Sequence, residues 1–259
     1  MKTINLVFLL TILQQSCTGD VIPLCDIGDH KLTYPIIAHS HNDYEQDLPI
    51  ITALNHGFIS LEVDIAYDGS DIRISHDEDD LEDKPIFETH YLQPLIKQAL
   101  PDSATYILLV DIKNYSESLL RKLNQILEKY KENLVSRTAP QLRENKIHIL
   151  LSGDIPRETI LQDSSSTYLF VDGRLNAFDL EAPEALIPLI SMDYTDISNQ
   201  LELKAIIKQV HDQNKKIRFW KTKDKEDMWL NLIELEVDII GVDDIELFCA
   251  IMQKNGLLE

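Results

Sequence analysis

Short runs of β-branched and aromatic residues alternate along the chain with stretches of helical period, and no Gly/Ser-rich or charged linker interrupts them. The strand candidates are Ile36–His39, Ser60–Ile65, Tyr106–Ile112, Ile147–Leu151, Tyr168–Val171, Leu186–Met192, Ile217–Trp220 and Asp238–Val242. Between them, apolar residues recur at three- and four-residue spacing. Leu119, Leu120, Leu123, Ile126, Leu127 and Tyr130 share one helix face, Leu203, Ile206, Ile207 and Val210 another. Trp229, Leu232 and Ile233, then Leu247, Phe248, Ile251 and Met252, continue the rhythm. Such alternation argues for a parallel sheet. Eight strand–helix units between Pro35 and Glu259 fit an α/β fold of the (β/α)8 TIM-barrel type, a single domain for which about 250 residues is usual. An open doubly wound sheet is the alternative. Ile72–Ser75 is a further strand candidate, and Asn176–Ala185 makes a poor helix.

The first residues stand outside this pattern. Lys2 precedes a mostly apolar run, Ile4–Leu13, too short for the roughly 20 apolar residues of a bilayer-spanning helix. Residues 1–19 read as an export signal, 20–34 as a leader segment and 35–259 as the barrel. Gln14, Gln15, Ser16 and Cys17 look like a loose lipoprotein signal, which would tether the mature chain to a bacterial cell envelope through a lipidated Cys17. Cleavage after Gly19, giving a secreted or periplasmic chain, is the competing reading.

Charge narrows the function classes. With 44 acidic against 24 basic residues the net charge is −20, a field that repels phosphate backbones and excludes general nucleic-acid binding. Three cysteines exclude a disulfide-built scaffold. Once Cys17 is lipidated or removed, Cys25 and Cys249 remain. A closed barrel brings its ends together, so the two are candidates for a bridge, against the alternative of Cys249 packed as a small apolar residue.

In a parallel barrel the carboxyl ends of the strands carry the active site. The first strand ends in His39-Ser40-His41-Asn42-Asp43; the second carries Glu62 and Asp64; His76 and Asp77 follow it; the third ends in Asp111 and Lys113. Asp193, then Trp220 and Lys221, then Asp243 and Asp244, close the later strands. Asp43, Asp193 and Asp243 have an ordinary alternative as caps and turn formers. Glu62 and Asp64 differ, because in Leu61-Glu62-Val63-Asp64-Ile65 they alternate with apolar residues and project to one side of the strand. With Asp111 they repel one another unless a cation lies between them, and three hard oxygen ligands suit Mg²⁺ or Ca²⁺. Pairing with Lys113 is the alternative. Zinc fits less well, since no Cys or close His pair accompanies them. His39 and His76 flank the inferred cation as an acid–base pair for displacement at phosphorus, and His41 can replace His39 because residues two apart face the same side.

Together these residues resemble a known group. Ile37-Ala38-His39-Ser40-His41-Asn42-Asp43-Tyr44, Glu62-Val63-Asp64, Ser75-His76-Asp77, Leu109-Val110-Asp111-Ile112-Lys113, Arg218-Phe219-Trp220 and Val237-Asp238-Ile239-Ile240 are similar to the phosphatidylinositol phospholipase C-like phosphodiesterases. The nearest group includes altered inheritance of mitochondria protein 6, with its Ser-His-Asn-Asp-Tyr run; Tyr91-Leu92-Gln93-Pro94-Leu95 and Ser152-Gly153-Asp154-Ile155-Pro156 also match it. The resemblance implies a divalent-metal phosphodiesterase barrel related to glycerophosphodiester phosphodiesterases and sphingomyelinase D-type lipases. It carries metal ligation to Glu62, Asp64 and Asp111, acid–base roles to His39 and His76, and a phosphate contact to Lys113. His41, Asn42 and Trp220 join Lys113 as expected substrate contacts. The chain departs from the glycerophosphodiesterases in having Ser40-His41-Asn42 where Arg-Gly usually follows the first His, so head-group and acyl preference stay open. Two other classes compete: an exported barrel that binds without catalysis, and a glycosidase whose paired carboxylates need no metal.

Overall fold

The computed structural model describes residues 37–99, 104–139 and 146–258. The export signal, Cys17 and Cys25 lie outside them, so lipidation, cleavage and the Cys25–Cys249 bridge have no structural counterpart here. Cys249 itself packs against the main core from a helix.

Nine strands form one sheet: β1 (Ile37–Ser40), β2 (Ser60–Tyr67), β3 (Ile72–Ile74), β4 (Tyr106–Ile112), β5 (Ile147–Gly153), β6 (Leu169–Gly173), β7 (Leu189–Asp193), β8 (Lys216–Trp220) and β9 (Ile239–Val242). Neighbours run in the order β1-β9-β8-β7-β6-β5-β4-β2-β3. A further parallel pairing, His39 opposite Ser60 and Ser40 opposite Leu61, joins β1 to β2. That pairing closes the ring and excludes the open sheet. β3 is the antiparallel exception, folded back on β2 from Ile65 opposite Ile74 to Tyr67 opposite Ile72.

Among the described residues, eight α-helices cover the barrel: α1 (Ile51–Asn55), α2 (Gln93–Ala99), α3 (Glu117–Lys129), α4 (Arg157–Gln162), α5 (Ala177–Glu181), α6 (Gln200–His211), α7 (Glu226–Glu234) and α8 (Ile245–Lys254). Their starts are specified locally. The Ser116 hydroxyl accepts from Leu119 N, Asn199 Oδ1 from Leu201 N and Glu202 N, and Asp244 Oδ1 from Leu247 N; each satisfies amides that the first helical turn leaves unpaired. On α3 the buried Leu119, Leu120, Leu123, Ile126 and Leu127 form the face the spacing predicts, each worth about 1.5–3 kcal/mol on burial. The weak helix expected over Asn176–Ala185 is the five-residue α5, capped by Asn176. β7 begins at Leu189 rather than Leu186, directly after Pro188, which has no N–H to give a ladder.

The core has two parts. The main cluster lies between sheet and helices. A second, of Leu109, Val135, Leu150, Phe170, Leu189 and Ile239 with Ile37 and Ile107 against it, fills the lower interior of the barrel. Its strand residues share parity with polar residues farther along: Leu109 with Asp111, Leu150 with Ser152, Phe170 with Arg174, Ile239 with Asp243. Strict alternation therefore gives the barrel an apolar floor and a polar mouth.

Candidate active site

A pocket of about 500 Å³ opens at the carboxyl ends of the strands, lined among others by His41, Asn42, Glu62, His76, Asp111, Lys113, Arg174, Arg218 and Trp220. Of the residues expected there, His39 and Asp64 lie beneath its wall, 1% and 0% exposed.

Glu62, Asp64 and Asp111 each bring one carboxylate oxygen within 4.8 Å of the others. Register explains the convergence, because Asp64 is opposite Asp111 on β4 and Glu62 lies two residues below on the same side. Arg218 Nη2 donates to Glu62 Oε2 at 2.5 Å. Lys113 Nζ lies 3.1 Å from Asp64 Oδ2 and 3.5 Å from Asp111 Oδ1. The alternative reading of a lysine-paired cluster is thus partly realised, yet two cations face three carboxylates. Burial opposes ionisation of Glu62, but Arg218 and His39 outweigh it and hold the carboxyl well below its usual range. Burial also pushes Asp64 up to about 6, with the charges of Asp111 and Glu62 adding to it and Lys113 opposing; Asp111 is raised by burial and by Glu62. Asp64 Oδ2 accepts from the Tyr44 hydroxyl at 3.0 Å, while buried Asp64 Oδ1 has no hydrogen-bond partner. An orphaned, buried carboxylate oxygen beside two further carboxylates fits a hard divalent cation.

One glycine makes room for this cluster. Gly153, at φ +88°, ends β5 beside Asp111, and a Cβ there would stand 2.3 Å from Ile112 O and 2.7 Å from Asp111 Oδ1. Gly153→Ala is expected to push Asp111 out of place and weaken divalent-cation affinity at least tenfold, measured by calorimetry, with a lowered melting temperature as the accompanying sign.

The histidines divide by depth. His39 Nε2 lies 2.8 Å from Glu62 Oε2 and its Nδ1 2.8 Å from Ser60 Oγ. A carboxylate only accepts, so Nε2 carries the proton and Nδ1 accepts from the hydroxyl. Burial and the Arg218 charge lower His39 to about 4, which leaves it neutral near pH 7. His41, two residues higher, puts Nδ1 2.6 Å from Asp243 Oδ1. Burial pulls its pKa down, but the Asp243 bond more than compensates and the net shift is upward. With Nδ1–H committed to Asp243, the second ring nitrogen is left for a ligand. Asp243 is in turn fixed through its backbone, its N–H donating to Asp224 Oδ2 and its carbonyl accepting from Gln46 Nε2. His76, just past β3, also lines the pocket, 64% exposed, with Nδ1 3.5 Å from Asp77.

Asn42, at φ 46°, turns the chain out of β1, a left-handed conformation Asn tolerates. The three acids with ordinary alternatives separate. Asp43 is buried structure, accepting from Tyr91, Ser40 and Ile50 N; Asp193 serves a turn through Thr195 and pairs with Lys221; Asp243 joins the site. Arg218, Arg174 and Ser152 line the pocket with Asp243; sequence reasoning had put Asp243 at a strand end of this face but had assigned no site role to the other three. Arg218 shares parity with Trp220, and a charged residue inside the apolar Ile217–Trp220 run was its available signal.

Comparison with known proteins bears on the same elements. The family description "AIM6-like phosphodiesterase domain" matches residues 30–103. "Altered inheritance of mitochondria protein 6" of Zygosaccharomyces rouxii is 26% identical over 84% of this chain and 69% of its own, and the homolog from Arthroderma benhamiae 24% over 82% of each. Among solved structures, a glycerophosphodiester phosphodiesterase from Parabacteroides distasonis shares the fold at TM-score 0.58 and 14% identity, over 85% of this chain and 98% of that one. An Oleispira antarctica phosphodiesterase solved with the product sn-glycerol-3-phosphate shares it at 0.53 and 11%, over 83% and 96%. L. pealei PLC21 does so at 0.52 and 13%, over 85% of this chain and 35% of its own. The domain match spans β1 and β2, the relatives align along more than four fifths of the sequence and the barrel is held in common, so the chain is similar to the AIM6-like phosphodiesterases in sequence and shares its fold with glycerophosphodiester phosphodiesterases and phospholipase C.

Proposed function

We propose that this barrel is an exported, metal-dependent phosphoric diester hydrolase acting on glycerophosphodiesters or related phospholipid head groups. The observation that carries the reading is the orphaned Asp64 Oδ1 within the Glu62–Asp64–Asp111 cluster, at the floor of a pocket that His41 and His76 both line. A bound Mg²⁺ or Ca²⁺ would neutralise charge on the phosphoryl oxygens. Arg218 adds to this: its buried Nε has no partner, and it lines the pocket where a phosphate oxygen would accept. Lys113, held between Asp64 and Asp111, is the second phosphate contact.

Hydrolysis needs one proton removed and one supplied. Water attacks phosphorus, the P–O bond to the departing alcohol breaks, and the products are a phosphomonoester and an alcohol. His76 takes the proton from the attacking water, and His41, whose pKa the Asp243 bond raises against burial, gives one to the departing oxygen. His39, which family resemblance would make a proton carrier, lies below Glu62 and positions that ligand. The Oleispira neighbour's product supports glycerol phosphate esters as the first class to assay.

The test is turnover of a phosphodiester panel with Mg²⁺, with Ca²⁺ and after chelation. Cation-dependent release of a phosphomonoester is expected. Chelator-insensitive cleavage of glycosides would favour the carboxylate-pair glycosidase, and cation binding without turnover of any diester would favour a binding protein. Fractionation of producing cells tests the export half of the proposal.

A further inference from the structure

The pocket contains an aromatic ring whose face is already taken. Trp220 ends β8 at the pocket wall, where an indole commonly receives a cationic head group. Here the Arg174 guanidinium lies over it, with Cζ 4.7 Å from the ring centroid. Arg174 is held there from several sides. Its Nη1 donates to Asp172 Oδ2 at 2.9 Å and to the carbonyls of Asp172 and Gly173 at 3.2 and 3.1 Å, and its Nη2 to Ser152 Oγ at 3.2 Å. Asp172, fully buried, is a fixed anchor for this arrangement. The guanidinium still lines the pocket, and its Nε–H is not used by these bonds.

We propose that Arg174, seated on Trp220, sets head-group choice: the site takes phosphodiesters whose alcohol carries hydroxyls or a second anion, of the glycerol, inositol or serine type, and discriminates against quaternary ammonium groups such as choline. This deepens the phosphodiesterase reading and rests on it. Two physical effects act together. A choline cation finds the indole face occupied, so it forfeits the aromatic attraction, and it meets a like charge at the site it would enter. A hydroxyl or carboxylate instead gains a charge-assisted hydrogen bond from the remaining guanidinium N–H. Lys113 and Arg218, each paired with the carboxylate cluster, line the same pocket, so Arg174 is the third cationic side chain there in a chain whose net charge is −20.

The experiment compares kcat/KM for glycerophosphoinositol and glycerophosphocholine in the wild type, Arg174→Gln and Trp220→Leu, with melting curves on each. The expected wild-type preference for the inositol ester is about tenfold or more, and Arg174→Gln is expected to reduce it severalfold, chiefly through a better choline ester. Trp220→Leu, which leaves Asp172 and its anchor intact, is expected not to weaken the choline ester. Equal rates in the wild type, or a choline ester that depends on Trp220, would overturn the proposal. A second readout separates this from failure of the enzymatic reading: calorimetric binding of glycerol 3-phosphate and phosphocholine to His76→Ala in the presence of Mg²⁺ or Ca²⁺. Absence of turnover on every diester refutes the hydrolase, while weaker binding of phosphocholine, relieved by Arg174→Gln, still supports the selectivity; equal binding refutes it.

Discussion

Asp64→Ala is expected to abolish divalent-cation binding at the pocket floor and to reduce diester turnover by about 10³-fold or more. A cation that neutralises phosphoryl oxygens supplies several kcal/mol to the transition state, and each 1.36 kcal/mol is a factor of ten in rate. Asp64 is the ligand with most leverage, because its Oδ1 is buried without a partner while Oδ2 is held by Tyr44 and faces Lys113. The fold is expected to survive. Removing one of three mutually repelling carboxylates relieves repulsion with Asp111 and Glu62, and Lys113 keeps Asp111 as its partner. Metal-free Asp64→Ala should therefore melt no lower than the metal-free wild type by more than the small cavity left behind costs. Adding Mg²⁺ or Ca²⁺ should raise the melting temperature of the wild type alone, since a ligand that binds only the native state stabilises it by mass action. Calorimetry at millimolar cation that shows equal heats for the two proteins would remove the cluster from the site.

The legibility of this site followed from the strictness of strand geometry. Glu62 and Asp64 were readable because a period of two leaves no choice about which side they face, and Asp111 because its strand is the next in the parallel order. The eight barrel strands stood out for the same reason, as β-branched runs flanked by polar strand ends. Closure was harder. Only two residue pairs join β1 to β2, and no local pattern distinguishes a ring from an open sheet before that contact forms. The pocket's cationic side chains were hidden for another reason: Arg174 follows β6 and Arg218 lies on β8, so no single segment shows a cluster. Gly153 was visible inside a family motif, but its role is set by Ile112 and Asp111 on a neighbouring strand. The depth of the two histidines was also beyond pattern reasoning. His39 and His41 share parity, and only the rise of about 6.6 Å between them decides that one lies under Glu62 and the other at the mouth.

That difference in depth carries the second large effect. His41→Ala is expected to cost about 10² to 10⁴-fold in turnover, the usual contribution of a positioned proton donor, whereas His39→Gln is expected to stay within about tenfold of the wild type. Glutamine can present an N–H where His39 Nε2 now donates to Glu62, so a positioning role tolerates it and a proton-transfer role does not. Asp243→Asn then tests how His41 works. The Asp243 carboxylate holds the His41 pKa above its ordinary value against the opposing pull of burial, so replacing it with a neutral amide lets that pKa fall. A general acid must be protonated, and its activity is lost as pH rises through its pKa. The alkaline limb of the rate profile should therefore move to lower pH in Asp243→Asn, with a larger loss at pH 8 than at pH 6. An unmoved alkaline limb, or a shift confined to the acid limb, would mean that His41 does not donate the proton. A His39→Gln protein as inactive as His41→Ala would return the proton-carrying role to the deeper histidine that Glu62 covers.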